Sequence, residues 1–355
     1  MWYIIPMTTK EKVLDILQNQ KDGTAFSGEK LAEACGVSRA AVWKAVNSLR
    51  EQGYSIEGTT NGGYILGANA DVFSLEHFTA AFDCVYAESQ TVHIECFKEI
   101  DSTNTYAKRL LSEAGNLRDV DGRLTQSGQK YHKSIYVAES QTAGRGRLGR
   151  TFYSPEKTGI YLTIVYAPKG GITQPARLTA VSAVAICRVL RKLYNINPQI
   201  KWINDIFING KKISGILTEG FTNFETGTIE SAIIGIGINI SDNPDVFPEE
   251  VAKVAGSITG AGNAEGCVTR CQLAAGIAAE VLQILEEDSA VVMKEYKELS
   301  FIIGQTVEVH PVIGDDKSVY SAKAVDIDDE AGLVVELEDG SKKTLSSGEV
   351  SLHKE

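Results

Sequence analysis

The sequence predicts an α+β chain in three parts: an N-terminal winged helix-turn-helix, a central mixed-sheet α/β domain and a small C-terminal SH3-like β-barrel. Three observations predict it. Residues 1–68 hold a helix–glycine–helix pattern followed by a glycine-rich alternating pair. Residues 74–300 interleave short apolar runs with two long helical patterns. Residues 301–355 hold five short alternating runs separated by turns. A length of 355 residues agrees, since one core rarely organises more than about 250.

The first part begins at Lys10–Gln20, where Val13, Leu14, Ile16 and Leu17 recur near the helical period. Ser27 then stands as an N-cap, with Lys30 where a capping box would place Glu, so the box is incomplete. The second helix turns Leu31, Ala32 and Ala34 inward and stops at Gly36, where a left-handed backbone costs little. Ser38 caps a third helix, Arg39–Gln52, with Ala41, Val42, Ala45, Val46 and Leu49 on its buried side. Tyr54–Leu66 closes the unit as a strand pair around Asn61-Gly62-Gly63, which supplies a wing.

In the central part, strands are expected at 134–139, 159–167, 200–208, 212–219 and 230–240. Long apolar-periodic helices cover Gln174–Tyr194 and Thr269–Glu286. Asn209-Gly210 joins two strands as a hairpin, so the sheet is mixed rather than doubly wound. The C-terminal runs are Thr306–Val312, Val319–Ile327, Leu333–Leu337, Lys343–Leu345 and Val350–Leu352.

Composition excludes several classes. With 43% hydrophobic and 23% charged residues, the chain is globular rather than disordered. Met1–Pro6 is apolar but lacks a basic flank and is far too short for a membrane span, so no export signal is read. Met7 stands immediately before the first helical pattern, and the six preceding residues read as an extension of the functional start. Six scattered cysteines, of which only Cys267 and Cys271 lie close, give no metal or disulfide framework and suit a reduced cytoplasmic chain. A net charge of −11 argues against a protein coated in nucleic acid, but residues 1–70 carry seven acids and seven bases, whereas 301–355 carry twelve acids and five bases. The acidic excess therefore lies away from the helix-turn-helix.

That unit predicts DNA binding, with the start of the third helix in the major groove and Ser38, Arg39, Ala40, Trp43 and Lys44 nearest bases and phosphates. Trp43 is equally readable as core. A domain without net positive charge binds weakly alone, so a homodimer is expected to gather enough contacts.

Four stretches carry the remaining chemistry. Gly144-Arg-Gly-Arg-Leu-Gly149 follows a strand and formally contains G-x-G-x-x-G, yet Thr151–Pro155 allows no helix after it, so a dinucleotide fold is rejected. Its glycines allow close approach to a ligand, and its arginines present planar forks for carboxylate or phosphate. Lys201-Trp-Ile-Asn-Asp205, by strand alternation, places Lys201, Ile203 and Asp205 on one face, with Lys211-Lys212 across the hairpin. A lysine facing developing negative charge lowers a barrier by several kcal/mol; an Asp–Lys salt bridge is the bland alternative. Asp101–Asn104 opens a helix, and Gly235–Asn239 ends a strand.

In this order, and behind a winged helix-turn-helix, the four stretches resemble the biotin–protein ligase family, in its bifunctional biotin operon repressor branch. The family's GRGRxG and KWPND motifs stand at Gly144–Gly149 and Lys201–Asp205, with Ile203 in place of the usual proline. The resemblance implies that residues 74–300 are the catalytic domain. It implies adenylation of biotin by ATP, usually with Mg2+, then transfer of biotin to a lysine of a biotin carboxyl carrier protein. Carried over by position, Ser102, Thr103, Asn104 and Gln141 line the biotin site, Arg145, Gly146 and Arg147 close over the adenylate, Lys212 contacts carboxylate and phosphate, and Gly215 flanks the ring. Arg147, Arg150, Phe152, Asn204, Asp205 and Asn239 fall on the ATP side, with Phe152 against adenine where the family often has tryptophan. Lys212 and Arg147 are the implied catalytic pair, and no metal-ligating cluster is implied. In the closing strand, His353 stands where an arginine is common. The resemblance further implies repression of biotin genes at operator DNA, with the adenylate as corepressor. A ligase without DNA binding and a lipoate–protein ligase are the competing readings.

Overall fold

A computed structural model describes residues 7–18, 25–51, 53–59, 62–67, 71–222, 227–241, 247, 249–261, 268–311 and 318–352. Three helices, α1 (Thr9–Gln18), α2 (Gly28–Cys35) and α3 (Arg39–Glu51), lead into an antiparallel hairpin, β1 (Ile56–Thr59) with β2 (Gly63–Leu66). The punctuation is as expected. Ser27 Oγ accepts the Lys30 amide at 3.1 Å, Gly36 is left-handed at φ 69°, and Ser38 Oγ accepts the Ala41 amide at 3.2 Å. One expectation fails: Cys35, not Ala34, completes the buried face of α2, because α1 and α3 pack on the Leu31/Cys35 side and leave Ala34 exposed. This unit has its own core, built on Val13, Leu17, Leu31, Val46 and Leu49.

Next come α4 (Leu75–Asp83), β3 (Ile94–Ile100), α5 (Thr103–Ala114), α6 (Gln126–Tyr131), β4 (Ile135–Gln141), β5 (Gly159–Tyr166), α7 (Pro175–Tyr194), β6 (Gln199–Lys201), β7 (Asp205–Ile208), β8 (Lys211–Thr222), β9 (Ile229–Asn239), α8 (Glu249–Ala252), α9 (Arg270–Ile284) and α10 (Ser289–Leu299). The sheet runs β3-β4-β5-β9-β8-β7-β6, parallel only between β3 and β4. It is mixed, as Asn209-Gly210 implied. Alternation divides its faces. Ile160, Leu162 and Ile164 of β5 join the core beneath α4, α7 and α9, while Tyr136 and Val165 pack beneath α5 on the other face.

The single strand expected over 200–208 is instead a tight hairpin. β6 and β7 pair antiparallel, with Lys201 opposite Asp205 and a turn through Trp202, Ile203 and Asn204. Lys201 and Asp205 do share a face, by cross-strand pairing rather than alternation along one strand, and Ile203 is buried in the turn. Trp202 fills the core, and its indole N–H donates to Ala331 O at 2.8 Å in the C-terminal part.

That part is an antiparallel sheet of β10 (Thr306–His310), β11 (Tyr320–Ile327), β12 (Leu333–Glu336), β13 (Lys342–Leu345) and β14 (Glu349–Leu352), in the order β13-β12-β11-β10-β14. All five expected strands are present; the end strands do not pair with each other among the described residues. Val307, Val309, Leu333 and Val335 pack into the same core cluster as the central sheet. Cys267 and His353 lie outside the described residues. Among the described cysteines none is in a disulfide: Cys35, Cys187 and Cys271 are buried and Cys84 is exposed. No described helix is long and apolar enough to cross a membrane.

Candidate functional site

The site is laid out by strand register. One row crosses the sheet from Lys201 through Asp205, Gly215 and Gly237 to Tyr161, each opposite the next. The adjoining row is Leu217, Gly235 and Thr163. These residues point to the α5 face, and the glycines leave a hollow there. A methyl on Gly237 would lie 2.4 Å from the Phe152 ring, and one on Gly235 would lie 2.2 Å from Asn104 Oδ1. The hollow is a cleft of about 140 Å³, roofed by the loop 145–152 and open to solvent.

One wall is neutral and built for hydrogen bonding. Ser102 caps α5 and thereby starts the helix that delivers Thr103 and Asn104, all three buried. Gln141 Oε1 accepts the Thr103 amide at 2.8 Å, and Gln141 Nε2 donates to Ser154 Oγ at 2.9 Å. Thr163 Oγ1 lies 2.7 Å from both Thr103 Oγ1 and Asn104 Oδ1. Asp101 anchors the helix entry by binding Arg109 at 2.6 Å, and that guanidinium holds its carboxyl below the usual range.

The opposite end is charged. Lys212 Nζ lies 2.6 Å from Asp205 Oδ1 as an ion pair without aligned hydrogen-bond geometry, which leaves that buried oxygen with no proper donor. Lys212 extends over Gly215, whose absent side chain gives it room: a Cβ there would sit 3.4 Å from Nζ. Burial, set against the Asp205 charge, lowers the Lys201 pKa. Arg150 pairs with Glu349 at 2.7 Å and Arg145 with Glu219 at 3.4 Å. Arg147 differs, since its recorded partners are neutral oxygens, Asn204 Oδ1 and Gly348 O, each at 2.8 Å. They orient its fork without cancelling its charge, which leaves it suited to an anion.

Thus Ser102, Thr103, Asn104, Gln141, Arg145, Gly146, Arg147, Arg150, Phe152, Asn204, Asp205, Lys212 and Gly215 all line one cleft. Asn239 does not. It borders an adjacent hollow of about 150 Å³ with Tyr153, Ser214, Phe247 and Val251, on the far side of Phe152, and its Nδ2 donates to Gly256 O at 3.1 Å. Residues to which the sequence assigned no role also contribute: Thr163, Glu219 and, from the C-terminal sheet, Gly348 and Glu349. The expected strand Val350–Leu352 begins one residue after Glu349, and nothing local in the sequence marks the approach of that carboxylate to Arg150. No group of three or more His, Cys, Asp or Glu able to hold a metal occurs among the described residues.

In the helix-turn-helix, Ser38, Arg39, Ala40, Trp43 and Lys44 are all exposed. Trp43 is 57% accessible, which decides against a core role. Arg39, Ala40 and Trp43 face an open groove of about 670 Å³ bounded by Ser27 and Glu29 of the α2 start and by Gly58 and Tyr64 of the wing.

A cleft that joins a neutral hydrogen-bonding wall to a cationic end, in a chain that also carries an exposed recognition helix, defines a ligand-binding enzyme domain coupled to a helix-turn-helix. Comparison with known proteins makes the class specific. Residues 97–239 match the Biotin/lipoate A/B protein ligase family, residues 9–65 an HTH domain and residues 302–353 the Biotin protein ligase C terminal domain. The bifunctional ligase/repressor BirA of Bacillus subtilis is 31% identical over 348 residues, covering 96% of this chain and 98% of that one. The protein of the same name from Escherichia coli is 29% identical over 354 residues, 97% of each. A biotin protein ligase from Aquifex aeolicus, solved with biotin and ATP, shares the fold at a TM-score of 0.56 and 24% identity, over 74% of this chain and 99% of that one. The chain belongs to the biotin protein ligase family, in its bifunctional ligase/repressor branch.

Proposed function

We propose that the chain is an ATP-dependent biotin–[acetyl-CoA-carboxylase] ligase and a DNA-binding repressor of biotin genes. The observation that carries the enzymatic reading is a single cleft in which Asn104, Thr103 and Gln141 stand at one end and Lys212 and Arg147 at the other. A small polar ring with a carboxylate tail fits that polarity. A biotin carboxylate oxygen attacks the α-phosphorus of ATP, the bond to the β-phosphate oxygen breaks, and pyrophosphate leaves with that electron pair. Both reactants are anions, so holding them together costs Coulomb energy that Lys212 and Arg147 offset; their fixed positions also remove much of the entropic barrier. In the second step the neutral amine of a lysine on a biotin carboxyl carrier protein attacks the biotinyl carbonyl. AMP leaves, and the amine gives up its surplus proton.

Mg2+ enters with the nucleotide on this reading. Asp205, whose carboxylate lines the charged end of the cleft beside Lys212, is the residue that would hold the ion. The ion supplies charge neutralisation at the phosphates.

Repression rests on the exposed face of Ser38, Arg39, Ala40, Trp43 and Lys44 above the wing groove. Biotinyl-5'-AMP serves as corepressor by favouring a homodimer that presents two such helices to operator DNA. The test is biotin transfer to a purified carrier domain, read by mass spectrometry, with lipoate offered in competition, alongside footprinting of a biotin operator with and without biotin plus ATP. Biotinylation that lipoate does not suppress, together with biotin-dependent protection, is expected; lipoylation instead, or protection indifferent to biotin, contradicts the respective half.

A further inference from the structure

Glu219 lies at the meeting point of the two ends of the cleft without lining it. It sits on β8 opposite Ile233, and its carboxylate is only 17% accessible. Oε2 accepts from Asn104 Nδ2 at 3.1 Å, while Oε1 is 3.4 Å from Arg145 Nη1 and 3.9 Å from Lys108 Nζ. The Asn104 amide is otherwise committed: Nδ2 also donates to Leu217 O at 3.2 Å, and Oδ1 is 2.7 Å from Thr163 Oγ1. Two acceptors on the nitrogen side and a hydroxyl on the oxygen side admit one amide orientation, with Oδ1 toward Thr163 and the hollow above Gly235. The second carboxylate oxygen is left to bind the arginine loop.

We propose that Glu219 is a positioning residue that ties the arginine loop, through Arg145, to the ring-recognising amide of Asn104, so that ring binding and loop closure act on one carboxylate. The proposal rests on the ligase reading of the cleft and extends it to the question of how the loop is held shut. Arg145 is the nearer cation, at 3.4 Å against 3.9 Å for Lys108, and the only one of the two on the loop over the cleft. A ligand accepted by Asn104 Oδ1 polarises the amide and strengthens its N–H donation to Glu219. That fixes the carboxylate in the rotamer that Arg145 requires. The loop then remains closed over the ligand's carboxyl end while the acyl phosphate is intact.

The experiment follows release of preformed biotinyl-adenylate from the full-length protein by chase with unlabelled biotin, in wild type, E219Q, E219A, R145A and E219Q/R145A. E219Q keeps an acceptor for Asn104 but loses the charge facing Arg145. Release is expected to accelerate about threefold to fivefold in E219Q and in R145A, the range for a half-buried ion pair. Adding E219Q to R145A is expected to produce no further acceleration. E219A, which also frees Asn104, additionally weakens biotin binding in calorimetry. Thermal unfolding midpoints of E219Q and R145A matching wild type separate this effect from misfolding, and should E219A fail to fold, the E219Q/R145A comparison stands without it. Unchanged release in E219Q, or equal acceleration by E219Q with and without Arg145, overturns the proposal while leaving the ligase reading intact; a wild type that makes no adenylate overturns both.

Discussion

Replacing Gly235 with alanine tests how the cleft is built. The new Cβ would stand 2.2 Å from Asn104 Oδ1, 2.7 Å from Cγ and 2.8 Å from Nδ2, so the carboxamide must leave its place. It has nowhere free to go: Asn104 is 4% exposed and bonded to Thr163, Leu217 O and Glu219. Overpacking of a buried site costs about 1–3 kcal/mol, and each buried hydrogen bond lost adds about 1 kcal/mol. Because a small shift of α5 relieves part of the clash, the expected loss of stability is about 2–3 kcal/mol. Biotin binding should weaken roughly tenfold to a hundredfold, corresponding to one or two lost hydrogen bonds. Thermal denaturation and calorimetric titration with biotin measure the two effects. In an N104A background the obstructing group is absent, and the same glycine substitution should cost less than about 1 kcal/mol. Wild-type biotin affinity in G235A, or an equal stability cost with and without Asn104, refutes the reasoning.

Other consequences follow from the same geometry. Lys212→Gln removes the ammonium facing the reacting oxygens and should lower the rate of adenylation by about a hundredfold to a thousandfold, with a smaller change in biotin affinity, in a single-turnover assay. His132 accepts the Ala167 amide through Nδ1 at 3.1 Å, and burial pushes its pKa down to about 4 from the ordinary 6.5. Above the unfolded value both states are neutral; between it and the folded value only the unfolded chain binds the proton, so stability falls as pH drops through that window. After allowance for partial exposure, wild type should lose about 1 kcal/mol from this group between pH 7 and pH 5. H132N, whose amide oxygen accepts the same N–H, should show that much less acid sensitivity in parallel melts. Lys44→Ala should weaken operator binding about equally for all sequences and reduce the salt slope by about one per half-site, as filter-binding titrations at several salt concentrations would show.

What the sequence makes legible is local chemistry. Ser27, Gly36 and Ser38 mark helix ends because capping uses atoms within three residues, and they behave as expected. The Gly144–Gly149 loop and the Lys201–Asp205 turn announce themselves by residue type, and both reach the cleft. The hairpin within 200–208 carries no local signal, because Trp202-Ile203-Asn204 contains no glycine or proline, and Ile200, Trp202, Ile206 and Ile208 fall at the period of one continuous strand. Ala34 reads as inward but is exposed, because spacing alone does not decide where neighbouring helices pack. Glu219 and Glu349 were missed for a different reason. Each becomes meaningful through partners more than 70 residues away, Arg145 and Arg150, and such pairings exist only once the sheet has aligned its rows. Fold class is written in periodicity; the clamp around the ligand is written in tertiary distance.

The most direct measurement is biotin-dependent exchange of labelled pyrophosphate into ATP by the purified chain with Mg2+, in the absence of any carrier protein. Exchange that requires biotin, and that collapses in a variant lacking both Lys212 and Arg147, is the expected result. No exchange above the biotin-free background by the folded wild type, or full exchange without those two cations, contradicts the account.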